Sequence, residues 1–329
     1  MSDVPSPATT SGLFGPTGVS IGHVSHNNTG VTVLYCGSQG AVASIDVRGG
    51  GPGTRETDLL EPHNTVERVH AITLAGGSAF GLAAADGVMR ELESQGIGFP
   101  VLGEGKPGPR VPIVPGAVIF DLLLGDERPT AEDGAEAVKR AVAKHDASTG
   151  TVGAGVGATA GKMRGGFGLA ELPVETLQGT FAVGAVVVVA NPVGSVVDPR
   201  TGRLFGAPDE QAVNLERFAA LRHPAEFKLN TTIGAVLCDA PLTKAQAKRL
   251  ALTGHDGIAR AIHPAHSPLD GDTLFALSTA SDTATRGVDT PTMAALCQAA
   301  AEAVEQAIVA AIVKAKPGLG LETYSSLLD

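Results

Sequence analysis

Asn230–Thr231 is the dipeptide in this chain with the most chemistry to offer. If the bond between the two breaks, Thr231 gains a free α-amine beside its own hydroxyl. Nucleophile and general base then lie within one residue. The setting fits. Residues 198–228 are rich in Arg, Pro, Glu and Asn and show no strand period, whereas 231–237 are β-branched and apolar. A polar connection that gives way to a strand is a place where a chain can cut itself. The plainer reading is an Asn-Thr pair that only starts a strand. Three other positions carry chemistry of the same kind. Lys162 stands among small apolar residues. It is either a surface lysine with a solvated head or a cation lining a site, where it would disfavour protonation of a nearby α-amine. Asn191-Pro192 follows the apolar run 181–190. It makes a turn, or it holds an amide donor toward a developing oxyanion. Asp270-Gly271-Asp272 precedes a strand-like segment. It is a polar turn, or a pair of carboxylates that holds a hydroxyl and an ammonium.

Other chemistries find less support. Residues 153–158 fit the glycine fingerprint of dinucleotide sites, but the polar 144–150 precede them where a buried strand is required. Gly161-Lys162 resembles the end of a phosphate loop, yet Val156 stands at the first glycine position and Met163 replaces the metal-binding hydroxyl. His23/His26 and His263/His266 are i, i+3 pairs outside any zinc spacing, which favours surface or capping roles. Cys36, Cys238 and Cys297 form no metal or redox motif and fit a reducing cytoplasm. No cofactor or metal is expected. Net charge is −10, with no basic cluster interleaved with aromatics, which argues against nucleic acid as a partner. The first 47 residues hold no Lys or Arg, so a secretory signal is not expected, and the run 181–190 is too short to span a bilayer. No membrane association and a cytoplasmic location are the expectations.

The elements that must position these residues read as follows. The chain has 329 residues, 43% of them hydrophobic, enough for one large core. Residues 31–35 and 41–47 read as two strands joined by a Gly-Ser-Gln-Gly turn. A short strand at 71–74 runs through Gly76-Gly77 into Ser78, expected as the N-cap of a helix that stops at Gly96. Residues 111–124 are strand-like, and Thr130 caps a second helix to about Ala143. The run 181–190 is a strand buried on both faces. Beyond Asn230 come a strand at 231–238, a helix from Thr243 to about Ile262, and a strand at 273–279. A long helix opening at Thr290-Pro291 closes the series. Buried strands with amphipathic helices predict an α/β layered architecture in a single domain, residues 1–329.

Together, the segments at 46–58, 74–82, 190–194 and 230–234 resemble the DmpA/BapA-type aminopeptidases, a family that includes the nylon-oligomer (6-aminohexanoate oligomer) hydrolases. The likeness runs from about Gly18 nearly to the C-terminus. It implies a four-layer αββα sandwich of the N-terminal-nucleophile type, related in architecture to the ornithine acetyltransferases. It also implies self-cleavage between Asn230 and Thr231 into fragments 1–230 and 231–329. On this likeness Thr231 is the nucleophile, Lys162 the active-site lysine and Asn191 the oxyanion-side asparagine. Asp270 and Asp272 match the paired aspartates of the nylon-hydrolase branch. Phe120 stands where close relatives carry Tyr, so a hydroxyl contact is lost. The implied substrate is a small peptide or peptide-like amide. A homo-oligomer, a tetramer of cleaved protomers, is the expected partner arrangement, also suggested by the Ala/Val/Ile face of the helix at 292–313. Pantetheine-type amide hydrolysis, acyl transfer and a non-catalytic binding role are the alternatives.

Overall fold

The apolar run 181–190 holds two interleaved sets of side chains, and each set enters a different core. The computed structural model describes residues 13–15, 18–190, 194–222, 231–280 and 287–328. Within them the chain forms two stacked sheets. The first has five strands, β1 (Ser20–Ser25), β2 (Gly30–Tyr35), β4 (Thr54–Arg55), β6 (Ala71–Ala75) and β9 (Gly116–Val118), in the order β1-β2-β6-β9-β4. The second has six, β3 (Ala41–Val47), β5 (Arg68–Val69), β12 (Gly166–Thr176), β13 (Gly179–Ala190), β14 (Thr231–Cys238) and β15 (Thr273–Ser278), in the order β12-β13-β14-β15-β3-β5. Only β6–β9 and β14–β15 run parallel among these neighbours. Two short hairpins stand apart, β7 (Phe99–Pro100) with β8 (Arg110–Val111), and β10 (Thr159–Ala160) with β11 (Met163–Arg164).

Period-2 alternation sorts the apolar residues into layers. From β13, Ala182, Val186 and Val188 face the space between the sheets, while Val183, Ala185 and Val187 face outward. From β14, Ile233, Ala235 and Leu237 point inward and Val236 and Cys238 outward. The first sheet contributes Ile21, Leu34, Ile72 and Leu74 to the central core. Its outer face, with Val31, Val33 and Ala75, is covered by α1 (Ala84–Ser94) and α2 (Ala131–Ala143). The second sheet is covered by α4 (Lys244–Ala261) and α5 (Thr290–Val313). A short α3 (Leu215–Ala220) lies in the connection before β14. The result is helix, sheet, sheet, helix. Each buried Val, Leu or Ile contributes roughly 1.5–3 kcal/mol, so residues 182–188 of β13 and the whole of β14, all buried, form a stiff platform.

Helix starts follow local chemistry. Thr130 and Asp133 form a reciprocal capping box for α2, and Thr243 and Gln246 do the same for α4. Asp289 caps α5 by accepting the Thr292 N–H, with Pro291 in the first turn. By length and composition α5 could cross a membrane, but most of its apolar residues are buried against β12, β13 and α4. Ala294 is exposed and Val309 and Val313 are partly so.

Several expectations differ. The segments at 31–35 and 41–47 are not a hairpin: β2 lies in one sheet and β3 in the other, so the chain steps between layers there. Ser78 is no N-cap. It follows left-handed Gly77 at φ 51°, inside a 3₁₀ turn over Ser78–Ala83 that precedes α1. Of the strand expected at 111–124, only Gly116–Val118 and the end of the β7–β8 hairpin pair, because Pro112 and Pro115 interrupt the ladder. β12 went unseen, since its glycines and Pro173 hide the strand pattern; Pro173 is tolerated because β12 is an edge strand.

Candidate active site

Thr231 is the first residue of β14, inside the second sheet between β13 and β15, and it pairs in register with Ala190 at the end of β13. It is 6% exposed. Its neighbour Thr232 donates its backbone N–H to Asp272 Oδ1 at 2.8 Å. The other oxygen of Asp272 accepts from the His266 backbone N–H at 3.1 Å and meets His266 Nδ1 at 2.8 Å. A carboxylate only accepts, so His266 carries its proton on Nδ1. Asp270 Oδ2 accepts the Ser267 N–H at 2.7 Å, while its Oδ1 is buried with no partner among the described residues. Both aspartates are fully buried. Burial, and after it the charge of Asp272, push the Asp270 carboxyl above the usual carboxylate range.

The corner that holds these carboxylates is clamped from both sides. The Gly51 N–H donates to the Asp270 carbonyl at 2.8 Å and the Arg48 N–H to the Asp272 carbonyl at 2.9 Å. Gly271 lies directly against the candidate nucleophile: a Cβ there would sit 2.8 Å from Thr231 Oγ1 and 2.8 Å from the Gly51 carbonyl oxygen. The Asp-Gly-Asp spacing therefore places the Asp272 carboxylate at the start of β14, with Gly271 making room for the Thr231 hydroxyl.

Lys162 sits at the tip of the β10–β11 hairpin, which packs against β13. Its neighbour Gly161, at φ 62°, abuts the Gly194 carbonyl, where a Cβ would approach to 3.2 Å. Segment 194–195 follows the end of β13 that pairs with Thr231, so the hairpin tip lies at that same end of the sheet. Asn191 and Asn230 lie outside the described residues. Phe120 follows β9, whose Val118 N–H donates to the Gly53 carbonyl in the loop that borders Thr231. Asp121, next to it, accepts the Gly77 N–H at 2.7 Å.

His266 is a residue that sequence reasoning underrated. Expected at the surface or at a cap, it is instead held against Asp272 with its side chain 18% exposed. Its ring packs edge-on against His255 of α4, centroids 4.9 Å apart. The i, i+3 spacing of the histidines carried no hint of this, because the partner is a carboxylate six residues downstream. The glycine fingerprint at 153–158 proves to be a packing device. It forms a 3₁₀ turn over Gly153–Gly155 that lies against Thr32, His23 and the backbone of Phe167.

The pattern that defines peptidase family S58 matches residues 16–324. An uncharacterized aminopeptidase of Mycobacterium tuberculosis is 46% identical over 319 residues, covering 91% of this chain and 89% of that protein. A 6-aminohexanoate-oligomer endohydrolase of Paenarthrobacter ureafaciens is 32% identical over 287 residues, covering 80% and 73%. Among solved structures, a Burkholderia sp. β-aminopeptidase superposes with TM-score 0.70 at 22% identity, covering 94% of this chain and 90% of that one. An L-aminopeptidase D-Ala-esterase/amidase from Ochrobactrum anthropi, described as a variant of the Ntn-hydrolase fold, superposes at 0.68 with 19% identity, covering 91% and 84%. At such identities the structural likeness concerns the fold, and it agrees with the four layers seen here.

Proposed function

The chain belongs to peptidase family S58, a hydrolase of amide bonds, and from that premise we propose that it matures by cutting itself before Thr231 and then works as an N-terminal-threonine aminopeptidase or amidase. In the first stage Thr231 Oγ attacks the carbonyl of Asn230. The peptide C–N bond breaks, an ester joins Asn230 to the hydroxyl, and water hydrolyses it. The products are a new carboxylate at Asn230 and a free amine at Thr231. In the second stage that amine takes the proton from Oγ, which attacks the substrate amide. Asn191 donates to the tetrahedral oxyanion. The leaving amine departs with the proton, and water releases the acyl group from the threonine.

The carrying observation is the corner around Gly271: Asp272 Oδ1 accepts the Thr232 N–H at 2.8 Å, Gly271 lies against the Thr231 hydroxyl, and the Oδ1 of neighbouring Asp270 is buried with no partner among the described residues. A buried carboxylate oxygen without a donor is costly, on the order of 1–3 kcal/mol or more. An ammonium or amine freed at Thr231 would supply that donor. Asp272 fixes the backbone one residue further on. Lys162, at the same end of the sheet, would keep the α-amine from holding a proton too tightly. The substrate class follows from the chemistry: small peptides or peptide-like amides, with the 6-aminohexanoate oligomers named for the Paenarthrobacter relative among those to assay. Phe120 offers no hydroxyl, so an acyl oxygen must take its donors elsewhere.

Intact-mass measurement of the purified chain tests this reading. Fragments of 230 and 99 residues, the latter being 329 − 230, are expected for the wild type. Thr231→Ala should stay whole and hydrolyse no amide. Cleavage elsewhere, or amide hydrolysis by the variant, would reject the assignment.

A further inference from the structure

We infer that His266 is a positioning residue for the nucleophile, acting on Thr231 through Asp272. The inference rests on the threonine reading above and names the part of the molecule that holds the nucleophile still.

The argument begins with the geometry of one oxygen. Asp272 Oδ2 receives two hydrogen bonds from a single residue, the His266 backbone N–H at 3.1 Å and Nδ1–H at 2.8 Å. That leaves Oδ1 aimed at the Thr232 N–H at 2.8 Å. The carboxylate is thus a rigid bridge between the 263–272 loop and the first peptide of β14. Remove the ring and Asp272 keeps a backbone donor but loses the contact that fixes its rotation. Thr231 Oγ1 lies against Gly271, the residue just before that aspartate, and the Thr232 nitrogen that Asp272 holds is four covalent bonds from that oxygen, so a shift of the carboxylate moves the peptide that carries the nucleophile.

The second observation is backbone conformation. His266 adopts φ 59°, a left-handed position that costs a residue with a Cβ about 1–3 kcal/mol. Such a cost persists only where the surroundings hold the residue in place. Asn or Gly would fit the turn with less strain, and neither provides an imidazole.

The third is the wall behind the ring. His266 Nε2 is buried with no partner among the described residues, and the ring is wedged against His255. His255 is fully buried on α4, its Nε2 3.1 Å from the Asp46 carbonyl. A contact path therefore runs from α4 through His255, His266 and Asp272 to the backbone of Thr232.

The test measures self-cleavage and the turnover of an aminoacyl p-nitroanilide by wild type, His266→Gly and His266→Asn. Glycine removes the ring while relieving the left-handed turn. Asparagine tolerates the turn and keeps an N–H donor. His266→Gly should slow self-cleavage and lower kcat by roughly 100-fold, the scale of loss for a displaced reacting group, with KM within about twofold. Its Tm should not fall. His266→Asn should recover at least about tenfold of that loss. In an Asp272→Asn background, removing the ring should cost little more, because the two residues act in series. That cycle also decides the matter if His266→Gly folds poorly: a loss that adds fully to that of Asp272→Asn overturns the inference. So does a His266→Gly enzyme with wild-type kcat, or an asparagine variant no better than glycine. A wild type cut before Thr231 with unaffected variants overturns only the role of His266. A wild type that hydrolyses amides with no break before Thr231 overturns the threonine reading and this inference together.

Discussion

Asp270 and Asp272 stand one glycine apart and meet opposite electrostatic conditions. Among the described residues, Asp272 is met by three N–H donors, while Asp270 keeps one oxygen unpartnered and has its carboxyl pushed up, first by burial and then by Asp272. A carboxyl whose folded value is raised binds its proton more tightly folded than unfolded. Its ionisation therefore costs stability, and the cost grows as pH rises through the folded value and vanishes below the unfolded one. In the uncut Thr231→Ala chain, Asp270→Asn should raise Tm at pH 7 and leave it nearly unchanged at pH 3. An equal shift at both values would mean that the asparagine acts through packing alone. The Asp-Gly-Asp spacing alone left a polar turn and a pair of carboxylates both open, and the family resemblance, not the spacing, singled the pair out. His266 was not legible. Its bond to Asp272 depends on a left-handed turn at φ 59° that no local pattern announces.

Elements differed in legibility for a physical reason. β13, β14, β15, α2, α4 and α5 were plain because alternation, caps and apolar faces are properties of contiguous residues. Sheet membership was not, since β2 and β3 follow each other in sequence but pair in different sheets. Nor was the apposition of two loops beside Thr231, which frames the candidate site. The 48–53 loop after β3 closes over the 267–272 loop before β15, and Gly49 lies at the contact. A Cβ there would come to 2.2 Å of the Asp270 carbonyl oxygen and 2.5 Å of the Asp272 nitrogen, both backbone atoms that cannot turn aside. Gly49→Ala should therefore force the loops apart, cost about 1–3 kcal/mol in a urea titration, and slow self-cleavage. If it cleaves and unfolds like the wild type, the two loops are not the rigid frame of the site.

At the scale of the whole molecule, the layers are joined by histidines whose burial makes protonation costly. His23 on β1 lies edge-on to Phe167 of β12, across the space between the sheets. His70 stands between β5 of one sheet and β6 of the other, where the chain changes layers, and its Nδ1 accepts the Ile113 N–H at 3.1 Å. His255 ties α4 to the Asp46 carbonyl on β3. Burial, the largest cause for each, lowers all three to about 4 from an ordinary 6.5. A base lowered on folding contributes stability that is whole above pH 6.5 and is lost as pH falls toward 4, because only the unfolded chain takes up the proton. For His70 that contribution is on the order of 3 kcal/mol. Asp121, Asp239 and Asp270, raised by burial, pull the other way on acidification, so the wild-type profile alone does not isolate the histidines. His70→Asn does. Its amide oxygen can accept the Ile113 N–H in place of Nδ1, and it does not titrate. Urea unfolding of both proteins should then show the variant losing about 3 kcal/mol less than wild type between pH 7 and pH 4. Parallel losses would mean that the crossing between the sheets opens for another reason, and that protonation at the junction of the layers does not set the acid limit of the fold.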